Sequence, residues 1–198
     1  MLELGHIEEA LKTYKPSRLL GDHTLNPDFA PQPPFRNAAV LLPLLAREDG
    51  LSMLFTLRTA HLHAHAGQVS FPGGGAEPHD MDEVATALRE SHEEIGLKPE
   101  NVRVLGTLDH YITRSGYRVR PVVGLVQGAP EWTPDSFEVA EIFEVPLSHI
   151  LCPGNLSAQE VTREGVSRRY YACNWQDYYI WGATAGMLRN FVEVVGGR

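Results

Sequence analysis

Residues 71–97 read FPGGGAEPHDMDEVATALRESHEEIGL, and this stretch decides the fold prediction. Three consecutive glycines lead through a short acidic loop into a segment with helical periodicity. At about 100° per residue, four positions share one stripe, as in a helix face packed on a core: Val84, Leu88, Ser91 and Ile95. Gly96 follows the last of them and is expected to end the helix.

The last two turns of this predicted helix carry Arg89, Glu90, Glu93 and Glu94. The glutamates share a second face, where they repel one another by roughly a few tenths of a kcal/mol per pair. Arg89 is spaced to pair with Glu93 at i+4. Glu90 and Glu94 then remain one turn apart near the helix C-terminus, where the helix dipole disfavours anions. Their hard oxygens suit Mg²⁺ or Mn²⁺, whereas the three glutamates considered alone also fit a solvated acidic face.

The string from Gly74 to Leu97 resembles the Nudix box, the signature of hydrolases that act on nucleoside diphosphates linked to another group. Agreement is closest over RESHEEIGL, residues 89–97. The resemblance implies an α/β fold, a Nudix-type α/β/α sandwich with a mixed β-sheet. It also implies Mg²⁺ or Mn²⁺ as cofactor, held by the following oxygen donors: Glu90, Glu94, Glu93 and the carbonyl of Gly74. Arg89 joins Glu90 and Glu93 in the expected catalytic set.

The loop departs from the general pattern in two ways, because Asp80 replaces a glutamate and the spacing from Asp80 to Arg89 is one residue longer. This variant looks like the coenzyme A pyrophosphatase branch of the family. Residues 54–59 (LFTLRT), with Gly67 and residues 71–74, are similar to a second motif of that branch. That motif implies substrate contacts from the following residues: Arg58, His63, Gly73 and Gly74.

His63 stands where the second motif would have another arginine, and a protonated histidine binds phosphate without the bidentate fork of arginine. Arg58 matches the first arginine, although a charge at a strand end with a solvated head is the alternative interpretation. His61, His63 and His65 alternate and would share one strand face. A zinc site there is disfavoured, since nothing adjacent supplies a fourth ligand.

Residues 137–147 are similar to a segment that follows a metal-proximal loop in Nudix enzymes. The resemblance implies that Glu138, or as second choice Glu141, brings another carboxylate to the metals, and a solvated loop glutamate is the alternative. The general base is left open between Glu90 and Glu138. Metal activation of water with assistance from Glu138 is the preferred hypothesis.

Composition favours one soluble domain, because 198 residues with 43% apolar and 21% charged content suffice for a substantial core. A net charge of −8 argues against a nucleic-acid partner. No apolar run reaches the roughly 18 residues of a membrane span, and the first residues lack signal-peptide features. A cytoplasmic protein, monomer or homodimer, is expected. Cys152 and Cys173 are interpreted as reduced packing residues.

Further elements follow from periodicity and turn signals. An N-terminal helix (3–14) and an extended proline-rich arm make up residues 1–36, and the Nudix domain spans 37–198 within a single domain. Strands are predicted at 37–46, 51–58, 102–109, 117–126, 139–145, 166–172 and 177–180, and a final helix at 181–195. Aromatic residues near the last hairpin are interpreted as core packing. Three arginines are candidates for anion contacts or plain surface charges: Arg114, Arg118 and Arg120.

The functional prediction is Mg²⁺-dependent hydrolysis of coenzyme A or its thioesters to 3′,5′-ADP and (acyl-)4′-phosphopantetheine. The alternative is a Nudix pyrophosphatase of another nucleoside diphosphate derivative, such as ADP-ribose or a dinucleotide. A ligand-binding module on the same scaffold is disfavoured, since such domains usually lose the acidic box residues that are present here.

Overall fold

The computed structural model describes residues 3–61, 65–163 and 165–196. The helices are α1 (Leu4–Thr13), α2 (Asp22–Leu25), α3 (Glu83–Ile95), α4 (Leu147–Ile150) and α5 (Gly182–Val195), and a 3-10 turn spans Pro99–Asn101. The strands are β1 (Leu19–Gly21), β2 (Arg36–Arg47), β3 (Gly50–Arg58), β4 (Val69–Ser70), β5 (Gly73–Gly75), β6 (Val102–Thr107), β7 (His110–Ile112), β8 (Tyr117–Val126), β9 (Val139–Pro146), β10 (Leu156–Arg163), β11 (Val166–Trp175) and β12 (Tyr178–Trp181).

A mixed sheet forms the middle layer, with strand order β1-β7-β8-β2-β3-β4. Strand β5 pairs with β2, β6 with β8 and β9 with β3. The β2–β8 and β1–β7 pairs are parallel, and the predicted hairpin of β2 and β3 is antiparallel with Arg47 opposite Gly50. Strands β10, β11 and β12 form a separate antiparallel sheet.

Each face of the mixed sheet buries its own apolar cluster. Residues of β2, β3 and β8, including Leu41, Leu54 and Val122, pack with Ile95 of α3. On the opposite face, Phe55 packs in a cluster with Phe191 of α5. Alternation along each strand sends successive side chains to the two faces. The α/β sandwich with a mixed sheet that the sequence predicted is therefore confirmed.

The N-terminal segment differs in part from the prediction. Helix α1 is confirmed, with Ile7 and Leu11 buried. The arm was expected to lack regular structure, but it contains β1, which pairs with β7 at the sheet edge, and the short helix α2. The prolines lie outside β1, so they do not remove donors from its ladder. The buried carboxylate of Asp109 holds this segment, accepting from the N–H groups of Ser17 and Arg18 at 2.9 Å each.

Near the C-terminus the structure confirms the last hairpin and the final helix, with Ala185, Leu188, Phe191 and Val195 buried. Strand β10 was not predicted, and the β11–β12 turn falls at Gln176 rather than near Asn174. The prediction that the aromatic residues near the last hairpin pack in the core is wrong for Tyr179 and Trp181, which are 42% and 40% exposed. Cys173 is buried, but Cys152 is exposed, so the prediction that Cys152 is a packing residue is wrong.

Among the described residues, no helix combines the length and apolar character that a bilayer crossing requires.

Candidate active site

The glycine strand β5 brings its backbone against the carboxylates of α3. Gly74 lies opposite Ala39 of β2, and a Cβ at Gly74 would lie 2.5 Å from Cδ of Glu90. The N–H of Gly73 donates to Oε2 of Glu94 at 2.9 Å. Side chains larger than hydrogen would separate strand and helix. The glycines therefore let two helix carboxylates approach the sheet closely.

Helix α3 has the register that the sequence predicts. Asp82 caps its N-terminus by accepting from the N–H of Ala85 at 2.8 Å, and Gly96 ends it in the left-handed conformation with φ +72°. Ser91 and Ile95 are buried. Val84 and Leu88 pack partly buried against the same core, as the stripe predicts.

Arg89 links the acidic loop to the helix. Its Nε and Nη2 donate to the two oxygens of Asp80 at 2.9 and 3.0 Å, and Nη2 also donates to the carbonyl of Gly75 at 2.9 Å. The ion pair with Glu93 is present at 3.0 Å, as is one with Glu90 at 3.0 Å. The Arg89 guanidinium holds the pKa of Asp80 well below its usual range. In the sequence Asp80 stands out only as a departure from the box pattern, and its pairing with Arg89 was not predicted.

Glu94 is the most buried of the three helix glutamates, with 5% of its surface exposed. Burial raises its pKa to about 7, against the opposing effects of the Gly73 N–H and Arg58. Burial also raises the pKa of Glu90, opposed by its hydrogen bond with Arg89. Glu93, in contrast, has a side chain that is 58% exposed and directed to Arg89. Glu94, which is buried, and Glu90, whose side chain is 18% exposed, are therefore the more buried pair.

Two residues distant in sequence join this pair. Nη1 of Arg58, at the end of β3, lies 3.6 Å from Oε1 of Glu94, and its Nη2 lies 3.6 Å from Oε2 of Glu138. The charge of Glu138 contributes to raising the pKa of both Glu90 and Glu94. The structure thus brings Arg58 and Glu138 to the buried carboxylates.

The remaining sequence candidates lie elsewhere or are not described. Glu141 accepts from the hydroxyl of Tyr178 at 2.6 Å and lies opposite Leu57, which packs on the α5 side. His63 lies outside the described residues. Arg120 donates to Glu83 at 2.7 Å and to the carbonyl of Leu108 at 2.8 Å.

The donor set fits a hard divalent cation. Oε1 of Glu94 accepts no hydrogen bond within the described ranges, and Nη1 of Arg58 lies 3.6 Å from it, beyond hydrogen-bond distance. No group of three His, Cys, Asp or Glu side chains in the described part of the chain is arranged around a single ion. Mg²⁺ does not need such a group, since it commonly uses one or two carboxylates with waters and substrate phosphates. Glu90 and Glu94 match that requirement.

Comparison with known proteins agrees with this geometry. A NUDIX domain model matches residues 34–165. Relatives named "Uncharacterized Nudix hydrolase NudL" from Yersinia pestis (strain Pestoides F) and Yersinia pseudotuberculosis serotype O:1b are each 41% identical over 160 residues, covering 81% of this chain and 80% of theirs. The crystal structure of a MutT/nudix family protein from Enterococcus faecalis superposes with a TM-score of 0.51 at 16% identity, covering 85% of this chain and 65% of that one. That structure supports the fold alone.

The mixed sheet and the helix that places its carboxylates against a glycine strand define an α/β protein with a carboxylate site of the hydrolase kind. Because the domain model spans most of the chain and the relatives match four-fifths of it, the chain belongs to the Nudix hydrolase family. Enzymes of this family act on nucleotide derivatives and generally use a divalent metal ion.

Proposed function

We propose that this protein is a Mg²⁺- or Mn²⁺-dependent pyrophosphohydrolase of coenzyme A or its thioesters, releasing 3′,5′-ADP and (acyl-)4′-phosphopantetheine. The observation that carries the proposal is the position of Arg58 between Glu94 and Glu138. Arg58 belongs to the second motif and Glu94 to the box, so the two motifs that suggested the substrate converge on one site.

Glu90 and Glu94 would hold the metal, with the Gly74 carbonyl as a further oxygen donor and Glu93 at the exposed edge. The bound ion supplies neutralisation of phosphate charge and lowers the pKa of water. The N–H of Gly73 fixes the rotamer of Glu94. Because Glu94 already accepts from this N–H, Gly73 would not donate to the substrate. Its contribution to substrate binding would be the missing side chain, which lets the backbone approach the substrate closely.

Arg58 would bind a phosphate oxygen of the diphosphate. It lies beyond hydrogen-bond distance of both neighbouring carboxylates, so its Nη donors are available to a substrate anion. The oxygen of water would attack one phosphorus of the diphosphate, and the bond from that phosphorus to the bridging oxygen would break. The bridging oxygen would leave with the other phosphate group, and a proton of the water would pass to a carboxylate. Glu138 is our choice for that base, since its side chain is 42% exposed at the site rim; Glu90 is the alternative, and Arg89 orients Glu90.

A second candidate is hydrolysis of ADP-ribose or a dinucleotide. The observation that favours it is His63 in place of the second arginine of the coenzyme A motif. Such a substrate would use the same carboxylates and Arg58.

The test is incubation of purified protein with coenzyme A and Mg²⁺, followed by chromatographic detection of 3′,5′-ADP. The Glu94→Gln variant serves as the inactive control. Release of 3′,5′-ADP by the wild type is expected. Cleavage of ADP-ribose to AMP with no product from coenzyme A would replace the proposal with the second candidate.

A further inference from the structure

The loop before β9 carries Glu138 to the site, and helix α3 holds the first half of this loop. The N–H of Thr133 donates to the carbonyl of Ile95 at 3.0 Å, and the N–H of Asp135 donates to the carbonyl of Glu94 at 2.9 Å. Both carbonyls belong to the last turn of α3, where the helix has no donors of its own left to offer. The loop is therefore fixed to the helix that carries the expected metal ligands.

The second half of the loop enters β9 where the pairing with β3 is irregular. Arg58 lies opposite Val139, whereas the preceding residue of β3 lies opposite Glu141. Ala140 is therefore an extra residue in β9, and such a bulge bends the strand and redirects the side chains beside it. Because the regular pairing ends here, other contacts must fix the backbone at Glu138.

Thr59, directly after β3, supplies these contacts. Its N–H donates to the carbonyl of Glu138 at 3.0 Å, and its hydroxyl donates to the carbonyl of Phe137 at 2.7 Å. Only 7% of the surface of Thr59 is exposed, so both hydrogen bonds are shielded from water. One buried residue thus holds two successive carbonyl groups of the loop.

The same strand end carries Arg58, whose Nη2 lies 3.6 Å from Oε2 of Glu138. Adjacent residues of the chain therefore determine where the arginine and the loop carboxylate stand relative to each other. This relationship matters for catalysis, because a misplacement of about 1 Å costs about 10²-fold in rate.

We propose that Thr59 is a positioning residue for this reaction, which holds the Glu138 carboxylate in place for proton transfer without touching the substrate. The inference rests on the proposed function, in which Glu138 is the preferred base, and extends it. Because Thr59 acts on the base and not on substrate binding, loss of its hydroxyl should lower kcat and leave KM unchanged.

Steady-state kinetics of Thr59→Val test this role, since valine keeps the shape and the backbone N–H but cannot donate to the carbonyl of Phe137. The kcat is expected to fall about tenfold, a fraction of the roughly 10²–10⁴-fold that a positioned base contributes, while KM stays within about twofold. Thr59→Ser restores the hydroxyl and should recover most of the rate. The matched control is Thr184→Val, because Thr184 is similarly buried and its hydroxyl donates to the carbonyl of Val69 at 3.0 Å. Wild-type kinetics are expected for it.

A double-mutant cycle separates positioning of the base from a general effect on the fold. With the base removed in Glu138→Gln, the further change Thr59→Val should lower kcat by no more than about twofold. A further loss of about tenfold would overturn the proposal, since Thr59 would then act independently of Glu138. A wild-type kcat in Thr59→Val or in Glu138→Gln, or an equal loss in Thr184→Val, would overturn it as well.

Hydrogen exchange in the metal-free protein gives a readout without turnover. The N–H groups of Glu138 and Val139 donate to the carbonyl of Asp135 at 3.0 and 2.8 Å. Both should exchange about fivefold faster in Thr59→Val, as the loss of one hydrogen bond allows. The N–H of Leu54, in the buried part of β3, should keep its wild-type exchange rate, which controls for general unfolding. Unchanged exchange at Glu138 and Val139 would overturn the proposal.

The kinetics are measured with coenzyme A and with ADP-ribose, so that the two proposals can fail separately. Hydrolysis of ADP-ribose alone, with the expected effects of Thr59→Val, rejects the proposed substrate and retains the role of Thr59. Hydrolysis of coenzyme A without those effects rejects the role of Thr59 alone. If neither compound is hydrolysed, the proposed function fails, and the exchange rates decide whether Thr59 holds the loop.

Discussion

Gly73 and Glu94 are joined by a hydrogen bond of 2.9 Å from the strand N–H to a helix carboxylate oxygen that is almost entirely buried. The bond explains why a glycine strand and an acidic helix occur together. The strand supplies a donor to the anion, and the missing side chains allow the approach.

Replacement of Gly74 by alanine is expected to impair activity more than folding. The new methyl group would meet the carboxylate of Glu90 and displace it, and a misplacement of about 1 Å costs about 10²-fold in rate. Steady-state hydrolysis and thermal unfolding measure the two effects. Gly75→Ala is the matched control, because no heavy atom lies within 4 Å of a Cβ there. Equal losses in both variants would show that the packing of Glu90 on Gly74 is unimportant.

Glu94→Gln should abolish turnover while leaving the protein folded. Glutamine keeps the shape of the side chain but removes one hard anionic oxygen from the expected metal site, and a loss of about 10²–10³-fold or more is expected. The midpoint of thermal unfolding should rise with added Mg²⁺ in the wild type and not in the variant. Turnover at the wild-type rate in Glu94→Gln would contradict the assigned role of Glu94.

The Asp80–Arg89 pair should contribute more to stability than a surface pair. The side chains of Asp80 and Arg89 are 5% and 16% exposed. Because Arg89 keeps its pairs with Glu90 and Glu93, the loss of Asp80 removes hydrogen bonds to a charged group, which are worth about 2 kcal/mol. Asp80→Ala should lower the free energy of unfolding by that amount in urea titrations. In the more exposed Arg47–Glu144 pair, Glu144→Ala should cost less than about 1 kcal/mol. Similar costs for the two variants would argue against the loop–helix link.

Asp109 should make the stability depend on acid pH. Burial opposes its ionisation, but hydrogen bonds from Tyr14, Arg18 and Ser17 outweigh this effect and lower its pKa. A carboxyl group whose pKa is lower in the folded state stabilises the folded protein at pH values above its unfolded-state pKa of about 3.9. This contribution to stability is lost as the pH falls through the folded-state pKa.

In Asp109→Asn this contribution is absent at every pH. The difference in unfolding free energy between wild type and Asp109→Asn should therefore be largest near pH 7 and shrink below about pH 4. Urea titrations at a series of pH values measure it. A difference that stays constant from pH 7 to pH 3 would assign the stability of the arm to contacts other than the charge of Asp109.

Much of the secondary structure was predicted from patterns among residues that are close in sequence. Helix α3 was predicted from spacing and from Gly96, because periodicity and capping involve neighbours in the chain. Strand β10 was missed, since a short strand with polar residues becomes regular only through its pairing with β11. Strand β1 was missed for a related reason: three residues form a strand only because β7 lies beside them.

The sequence by itself determined the acidic helix, the glycines before it and the family of the fold, since these depend on residue types at fixed short spacings. Only the tertiary structure decided that Arg58 and Glu138 lie beside Glu94. It also decided that Asp80 is the two-point partner of Arg89. These relationships depend on strand register and on which charges are buried together, and neither is encoded at a spacing that can be read along the chain.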